Sequence, residues 1–202
     1  MTEKGARFAQ VIAAIDAANA RDPTRVDVDG VSAPAELVYG RRMSETLARM
    51  APEASEHIRI AARGQHVERW MTPRKSFPEG RIGYLQWRNE LKGFHARRVG
   101  EIMAAAGYAD DDIARVGALV RKERLKTDAE AQMLEDVACI VFLQHYLGDF
   151  MRKTDEEKLA VILAKTWNKM SALGREHAGR LQLPAAVPAL LERGLAQLRP
   201  SN

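Results

Sequence analysis

The feature that most restricts the fold of this chain is the spacing of its apolar residues at three and four positions, interrupted by proline and glycine. Val11, Ile12 and Ile15 follow this spacing, and Asp22 with Pro23 ends the segment. Such spacing places apolar side chains on one face of an α-helix. We expect further helices from Pro34 to Met50, Ile58 to Arg69, Gly83 to Ala106, Asp110 through Val120, Thr127 through Leu147, Asp155 to Met170 and Ala185 to Leu198.

Several boundary residues support these helices. Gly107 is placed as a C-cap, and Thr127 with Glu130 three residues later has the pattern of a capping box. The segments 25–32 and 71–80 are predicted to be loops, and no stretch alternates apolar and polar residues as a strand does. The sequence therefore predicts an all-α fold, a single-domain helical bundle of about seven to nine helices.

Length and composition agree with one soluble domain. The chain has 202 residues, of which 46% are hydrophobic and 29% charged, and a single domain commonly has about 150 residues. No run of about 18 apolar residues suggests a membrane span, and the first residues do not resemble a signal peptide. We therefore expect a cytoplasmic protein that does not bind membranes. The single cysteine, Cys139, excludes an internal disulfide and any multi-cysteine zinc site.

Positive charge is concentrated in one part of the chain. The formal net charge is +4, yet the segment 63–98 alone has nine basic and three acidic residues, which makes it +6 by the difference. The rest of the chain is slightly acidic. This distribution favours a local site for an anion over a generally cationic surface.

Three polar residues are predicted to face the protein interior. His66 lies where a helix meets a loop, His95 has Leu91 and Val99 one turn away on either side, and Asp136 aligns with Ile140 and Leu143. Buried imidazole and carboxylate groups need partners. They either satisfy one another as a polar cluster or bind a divalent metal such as Fe, Mn, Zn or Co. Glu68 and Glu135 are possible additional ligands.

Cationic and aromatic side chains accompany these residues along the sequence. Arginine can hold a phosphate group through paired hydrogen bonds, lysine acts as a point charge, and tryptophan can stack on a base. The alternatives are a solvated basic face and tryptophans in the core. The candidate binding residues are Arg69, Trp70, Arg74, Lys75, Tyr84, Trp87, Arg88, Lys92, Arg121 and Lys122. Motifs of P-loop, Rossmann and serine-hydrolase proteins do not occur.

The order of several segments resembles the HD superfamily of metal-dependent phosphohydrolases. The segments that carry the resemblance are Tyr39–Ser44, Ala61–His66, Phe94–Ala96 and Leu134–Ala138. The resemblance implies an all-helical, HD-like core over about 35–150, with the C-terminal helices 155–198 packed on it. Tyr39, Gln65 and His66 stand where the family has three ligands, and only Asp136 keeps the family's residue type, so the ligand set either differs or is lost.

A closer resemblance is to an uncharacterised family found in bacteria and fungi. It extends almost from end to end and is carried by Gly64–His66, Ser76–Pro78, Gly83–Arg88, Leu91–His95, Arg121–Lys122 and Leu134–Asp136. It implies no activity.

Four hypotheses follow. The first is a metal-dependent hydrolase of a phosphate ester of a nucleotide or related small molecule, with a metal on His66, His95 and Asp136. In this hypothesis Lys122, Arg121 or Arg74 would neutralise charge, and Glu68 would accept a proton. The second is a non-catalytic module that binds RNA or an anionic metabolite through the basic segment. The third is an HD-type iron oxygenase, and the fourth is a scaffold that acts through helix contacts.

Overall fold

A computed structural model describes residues 3–199, and these form two compact units, Met1–Arg124 and Leu125–Asn202. Ten α-helices and one two-stranded hairpin occur in the described part of the chain, so the predicted all-α class is confirmed. The prediction of one domain with a core over 35–150 stays a prediction. The division into units falls inside that range.

The first unit contains five α-helices and the hairpin. Its elements are α1 (Glu3–Asn19), β1 (Arg25–Val28), β2 (Val31–Pro34), α2 (Ala35–Met50), α3 (Glu56–Gly64), α4 (Gly80–Ala105) and α5 (Asp110–Arg121). Two 3₁₀ turns, Arg69–Met71 and Arg74–Ser76, lie between α3 and α4. The core includes the fully buried Ile15, Met43, Ile60 and Met103.

The hairpin corrects the expectation of a loop over residues 25–32. The strands pair antiparallel from Arg25 opposite Pro34 to Val28 opposite Val31. Asp29 and Gly30 connect them with φ angles of 53° and 82°, the left-handed pair that a tight two-residue hairpin turn requires. The strands are only four residues long, so alternation was too short to identify them, whereas the Asp-Gly pair is a hairpin signal.

Helix α3 packs closely on α4 because of Gly64. A Cβ atom at this position would lie 2.5 Å from the Val99 side chain and 3.4 Å from that of Ile15. Only glycine therefore permits this approach of the end of α3 to the middle of α4. The predicted continuation of α3 to Arg69 is wrong, because the chain leaves the helix after Gly64. The turn that follows carries Gln65 and His66.

The second unit contains the other five helices. They are α6 (Ala129–His145), α7 (Leu147–Met151), α8 (Glu156–Lys169), α9 (Ala172–Gly179) and α10 (Val187–Gln197). Helix α6 contacts α7, α8 and α9, and α8 contacts α10. The short helices α7 and α9 were not predicted. The described residues therefore contain ten α-helices, more than the predicted seven to nine.

Two cap predictions have different outcomes. Gly107 has a φ of 80°, and the Tyr108 N–H donates to the Met103 carbonyl oxygen at 3.1 Å, as expected for a glycine that ends a helix. The capping box at Thr127 is wrong, because Asp128 is the N-cap and its carboxylate accepts from the Glu130 and Ala131 N–H groups at 3.0 and 3.3 Å. In the described residues, no helix combines the length and apolar character needed to span a bilayer.

Candidate functional site

Two histidines of the first unit come together where α3 ends against α4. His66 lies in the turn after α3 and His95 in the middle of α4. Their ring centroids are 5.8 Å apart. Because Gly64 has no side chain, the end of α3 can approach the middle of α4 closely. His66 and His95 are therefore neighbours in the structure although they lie far apart in the sequence.

His95 presents one unpaired nitrogen. Only 3% of the residue is exposed, and its Nδ1 lies 2.9 Å from the Val67 carbonyl oxygen. A carbonyl only accepts, so Nδ1 carries the proton and Nε2 carries a lone pair. Among the described residues, the buried Nε2 has no hydrogen-bond partner. Burial, with the nearby His66 as the next cause, lowers the pKa of His95 to about 3, so the ring is neutral.

Gln65 supplies a second unpaired acceptor. The residue is 6% exposed, and the described part of the protein offers its buried Oε1 no partner. Gln65 and His95 line the same small cavity, of about 30 Å³, which is more than one water molecule needs. We call this the smaller cavity. His66 and four cationic side chains also line it, namely Arg69, Arg88, Lys92 and Lys122.

His66 lies between this cavity and a buried carboxyl group. Its ring stacks on Tyr39 with centroids 4.0 Å apart and planes 9° from parallel. Its Nε2 accepts a hydrogen bond from Arg69 Nη1 at 3.4 Å, and its Nδ1 lies 3.3 Å from Glu36 Oε2. Burial, followed by the positive charges of Arg69, Lys122 and Arg88, holds the pKa of His66 well below its usual value. His66 is therefore neutral near pH 7.

Glu36 lies in the first turn of α2 and is held by the segment just before the hairpin. Its backbone N–H donates to Asp22 Oδ2 at 2.9 Å, and the Thr24 N–H donates to Asp22 Oδ1 at 2.8 Å. Burial raises the pKa of Glu36 to about 7; Asp22 adds to this rise, and Arg69 opposes it. Near neutral pH this carboxyl group is divided between its protonated and ionised forms, as a group that transfers protons must be.

Glu36 also lines a second cavity, of about 210 Å³, which we call the larger cavity. Asp22, Trp70, Arg74 and Trp87 are among its other lining residues, and Arg69 lines both cavities. The Arg69 guanidinium lies 4.8 Å from the centroid of the Trp87 ring. The Trp87 Nε1–H donates to the Thr72 carbonyl oxygen at 2.9 Å, which fixes the ring.

The structure thus brings together most of the predicted site residues. His66, His95, Arg88, Lys92 and Lys122 line the smaller cavity. Trp70, Arg74 and Trp87 line the larger one, and Arg69 lines both. Their roles remain predictions.

Two residues predicted to act in catalysis are engaged in other ways. Glu68 is 8% exposed, and its carboxylate accepts from Arg21 Nη2 and Arg98 Nε, each at 2.5 Å. Both carboxylate oxygens of Glu68 therefore already pair with guanidinium groups. Arg121 Nε lies 2.6 Å from Glu123 Oε1, and this residue is not among those that line either cavity.

Asp136 and Glu135 lie in the second unit. The Asp136 Oδ1 accepts from the Ser171 N–H at 2.8 Å and from Gln132 Nε2 at 2.9 Å, and its Oδ2 accepts from the Ser171 hydroxyl. Ser171 is the N-cap of α9. Asp136 therefore fixes the start of α9 on α6. Glu135 Oε1 lies 3.5 Å from Lys169 Nζ.

A comparison with protein families gives one match. The model of a family described as Domain of unknown function (DUF4202) matches residues 9–191. The chain belongs to the DUF4202 family. No curated protein and no solved structure matches it. The matched range includes every residue that lines the two cavities. The expected membership of an uncharacterised family is therefore confirmed. Membership of the HD superfamily stays a prediction.

The predicted divalent metal does not fit the donors of the DUF4202 site. Both ring nitrogens of His66 face other groups, and the unpaired Nε2 of His95 lines a cavity shared with four cations. Positive side chains oppose the binding of a second positive charge. Across the described residues, no group of three or more His, Cys, Asp or Glu side chains could hold a metal ion.

Sequence reasoning missed Glu36 as a site residue of this DUF4202 protein. A glutamate in the first turn of a helix is ordinarily explained by the helix dipole, so nothing marked it as buried. Tyr39 and Gln65 were noticed only as replacements for HD ligands. The available signal was that both residues lie in the segments that carry the HD resemblance, and the structure places them beside His66 and His95.

Proposed function

We propose that this protein hydrolyses a phosphate ester of a nucleotide or related small molecule, with Glu36 as the group that moves the proton. The observation that carries the proposal is the position of Glu36. It lines the larger cavity, lies 3.3 Å from His66 of the smaller, cationic cavity, and has its pKa raised by burial to about 7.

The cationic residues support a phosphate-bearing substrate. Arg69 belongs to both cavities, while Arg88, Lys92 and Lys122 line the smaller one. Guanidinium groups bind phosphate oxygens through paired hydrogen bonds, and positive charge stabilises the transition state of phosphoryl transfer. The phosphate group then occupies the smaller cavity, and the remainder of the substrate lies in the larger one.

Glu36 supplies the acid–base chemistry. Ionised Glu36 takes a proton from a water molecule whose oxygen forms a bond to phosphorus as the ester P–O bond breaks. The departing alkoxide, on the opposite side of phosphorus, takes a proton from solvent, and Glu36 returns its proton to solvent, so protons and charge balance. Catalysis of this kind is most effective when the pKa of the group is near the working pH.

The tryptophans favour a substrate with a flat, aromatic part. Trp70 and Trp87 line the larger cavity, and a stacked base contributes about 1 to 3 kcal/mol in single-stranded nucleic-acid sites. No step of this mechanism uses a metal, and the donors that do not fit a divalent metal do not fit the iron of an oxygenase either. We also propose that the protein is a member of the HD superfamily and is located in the cytoplasm. Both proposals rest on the sequence alone.

The test is phosphate release from a panel of nucleotides and sugar phosphates by the wild type, Glu36→Gln and Glu45→Gln. Glu45 is an exposed residue of the same helix and serves as the matched control. We expect Glu36→Gln to lower kcat by about 10² to 10⁴ and Glu45→Gln to leave it unchanged. Full activity of Glu36→Gln on a substrate that the wild type hydrolyses contradicts the role of Glu36.

A second candidate is the RNA-binding module. It is favoured by Tyr84, which is 46% exposed with its ring centroid 5.9 Å from that of Trp87, in a segment rich in arginine. RNA retention that falls steeply with salt and is lost in Tyr84→Ala supports this candidate. Retention that is absent or indifferent to salt contradicts it.

A further inference from the structure

The smaller cavity combines two features that a bare anion cannot satisfy together. Its cations, Arg69, Arg88, Lys92 and Lys122, attract negative oxygens. Its two buried acceptors, His95 Nε2 and Gln65 Oε1, have no hydrogen-bond donor among the described residues. A buried acceptor left without a donor destabilises the protein, because the acceptor has lost its hydrogen bonds to water. A ligand must therefore bring both negative charge and a hydrogen to donate.

The protonation states of the cavity residues are fixed by their surroundings. The Val67 carbonyl oxygen holds the proton on His95 Nδ1, so Nε2 can only accept. The amide oxygen of Gln65 can likewise only accept. His95 Nε2 does not become a donor near pH 7, and in this orientation of the Gln65 amide an oxygen of the ligand that lacks a hydrogen is repelled by both lone pairs.

We propose that the smaller cavity recognises a protonated tetrahedral oxyanion, and that it distinguishes phosphate from sulfate by the proton. Inorganic phosphate keeps at least one hydrogen near pH 7, whereas sulfate has none. The cations hold the bare oxygens of phosphate while its P–O–H group donates to His95 Nε2 or Gln65 Oε1. The location of the phosphate group in this inference rests on the proposed function. The inference adds that the phosphate group binds in a protonated form.

A single water molecule is the alternative occupant. Water can donate two hydrogens to these acceptors, but it carries no negative charge for the four cations to attract. With water in place, phosphate and sulfate would compete only through charge, so they would bind alike. The relative affinity of the two ions therefore separates the two occupants.

The experiment is a calorimetric titration of the full chain with inorganic phosphate and, separately, with sulfate at pH 7 and constant ionic strength. The variants are His95→Phe and Gln65→Met, each of which removes one acceptor with little change in shape. The matched controls are His57→Phe, an imidazole of α3 paired with Asp112, and Gln10→Met, an exposed residue of α1.

We expect the wild type and both controls to bind phosphate at least about tenfold more tightly than sulfate. Each acceptor variant should lower this ratio, mainly through weaker phosphate binding. If His95→Phe does not fold, as judged by circular dichroism, Gln65→Met carries the test. Equal affinities in the wild type, no binding of either ion, or a ratio unchanged in the folded acceptor variants overturns the inference.

This outcome is distinguishable from failure of the proposed function. Selective phosphate binding without turnover of any ester contradicts the hydrolase proposal and keeps the inference. Ester hydrolysis that depends on Glu36, with no preference for phosphate over sulfate, does the reverse.

Discussion

The two units each bury a cluster of polar residues, but only one cluster satisfies itself. In the second unit both oxygens of Asp136 accept hydrogen bonds, from Ser171 and Gln132. In the first unit His95 Nε2 and Gln65 Oε1 lack donors among the described residues, and Glu36 retains a raised pKa. Both clusters consist of residue types that the sequence marks as unusual in a core.

The difference teaches how to separate structural from functional polar residues. A buried group whose hydrogen bonds are complete stabilises the fold, as Asp136 does at the start of α9. Other buried groups, such as His95, line a cavity with four cations and have unused hydrogen-bonding capacity. These groups are available to bind a ligand. For His95 and Asp136 the apolar spacing in the sequence indicates burial, whereas completeness of hydrogen bonding requires the structure.

The largest expected effect is on the stability of the second unit. Asp136→Ala leaves the Ser171 N–H and hydroxyl without their acceptor and removes one of the two acceptors of Gln132 Nε2, which also donates to the Lys169 carbonyl oxygen. We therefore expect the free energy of unfolding to fall by about 3 kcal/mol or more. Urea denaturation measures this. Asp149→Ala, which removes an exposed partner of Arg152, is the control and should change stability by less than about 0.5 kcal/mol. Unchanged stability with loss of phosphate binding would contradict the structural role of Asp136.

The second prediction concerns Glu36 and pH. Its pKa is raised from 4.5 to about 7 in the folded protein, so the folded state holds a proton that the unfolded state releases. Its favourable contribution is complete below about pH 4.5 and is lost as pH rises through 7. Relative to Glu36→Gln, the wild type should lose up to about 3 kcal/mol across this range.

The histidines do not obscure this comparison. Their lowered pKa values destabilise the fold on acidification, but both proteins contain them, so their contribution cancels in the difference. Chemical denaturation at several pH values between 5 and 8 measures the difference. A difference that stays constant over this range shows that Glu36 titrates normally.

The smallest expected effect is a change in stability at the end of α5. Two variants there also distinguish an effect on stability from an effect on phosphate binding. Lys122 and Arg124 both have positive φ angles, 58° and 53°, which glycine adopts without strain. Each change to glycine should raise the free energy of unfolding by about 0.5 to 1 kcal/mol. Only Lys122 lines the smaller cavity, so only Lys122→Gly should weaken phosphate binding, by about tenfold. Equal phosphate affinity in both variants would remove Lys122 from the site.

Much of the fold could be predicted because its helices have regular apolar spacing and clear ends. Gly107 and the acidic start of α5 were read correctly. The hairpin was missed because its strands are four residues long, and α9 because an eight-residue helix has little periodicity. Missing α9 had a consequence, since Asp136 without Ser171 looks like a buried carboxylate in need of a metal.

The site could be predicted only in part. His66, His95 and the cationic residues were identified from burial and charge, because both are visible along a helix. Glu36 was not, because the groups around it, Asp22, His66 and Arg69, come from other parts of the chain. Glu68 was assigned to proton transfer, yet Arg21 and Arg98 come from distant parts of the chain to pair with it. Such long-range pairs have no local sequence signal.

The most direct test of the site is nitrogen NMR of ¹⁵N-labelled histidine rings during titration with inorganic phosphate. The account predicts a saturable shift of His95 Nε2 as its lone pair accepts a hydrogen, together with a shift of His66. The rings of His57 and His177 should stay unchanged. Saturation with phosphate that leaves the His95 and His66 signals in place, or that moves all four rings alike, would contradict the claim that these residues form a phosphate site.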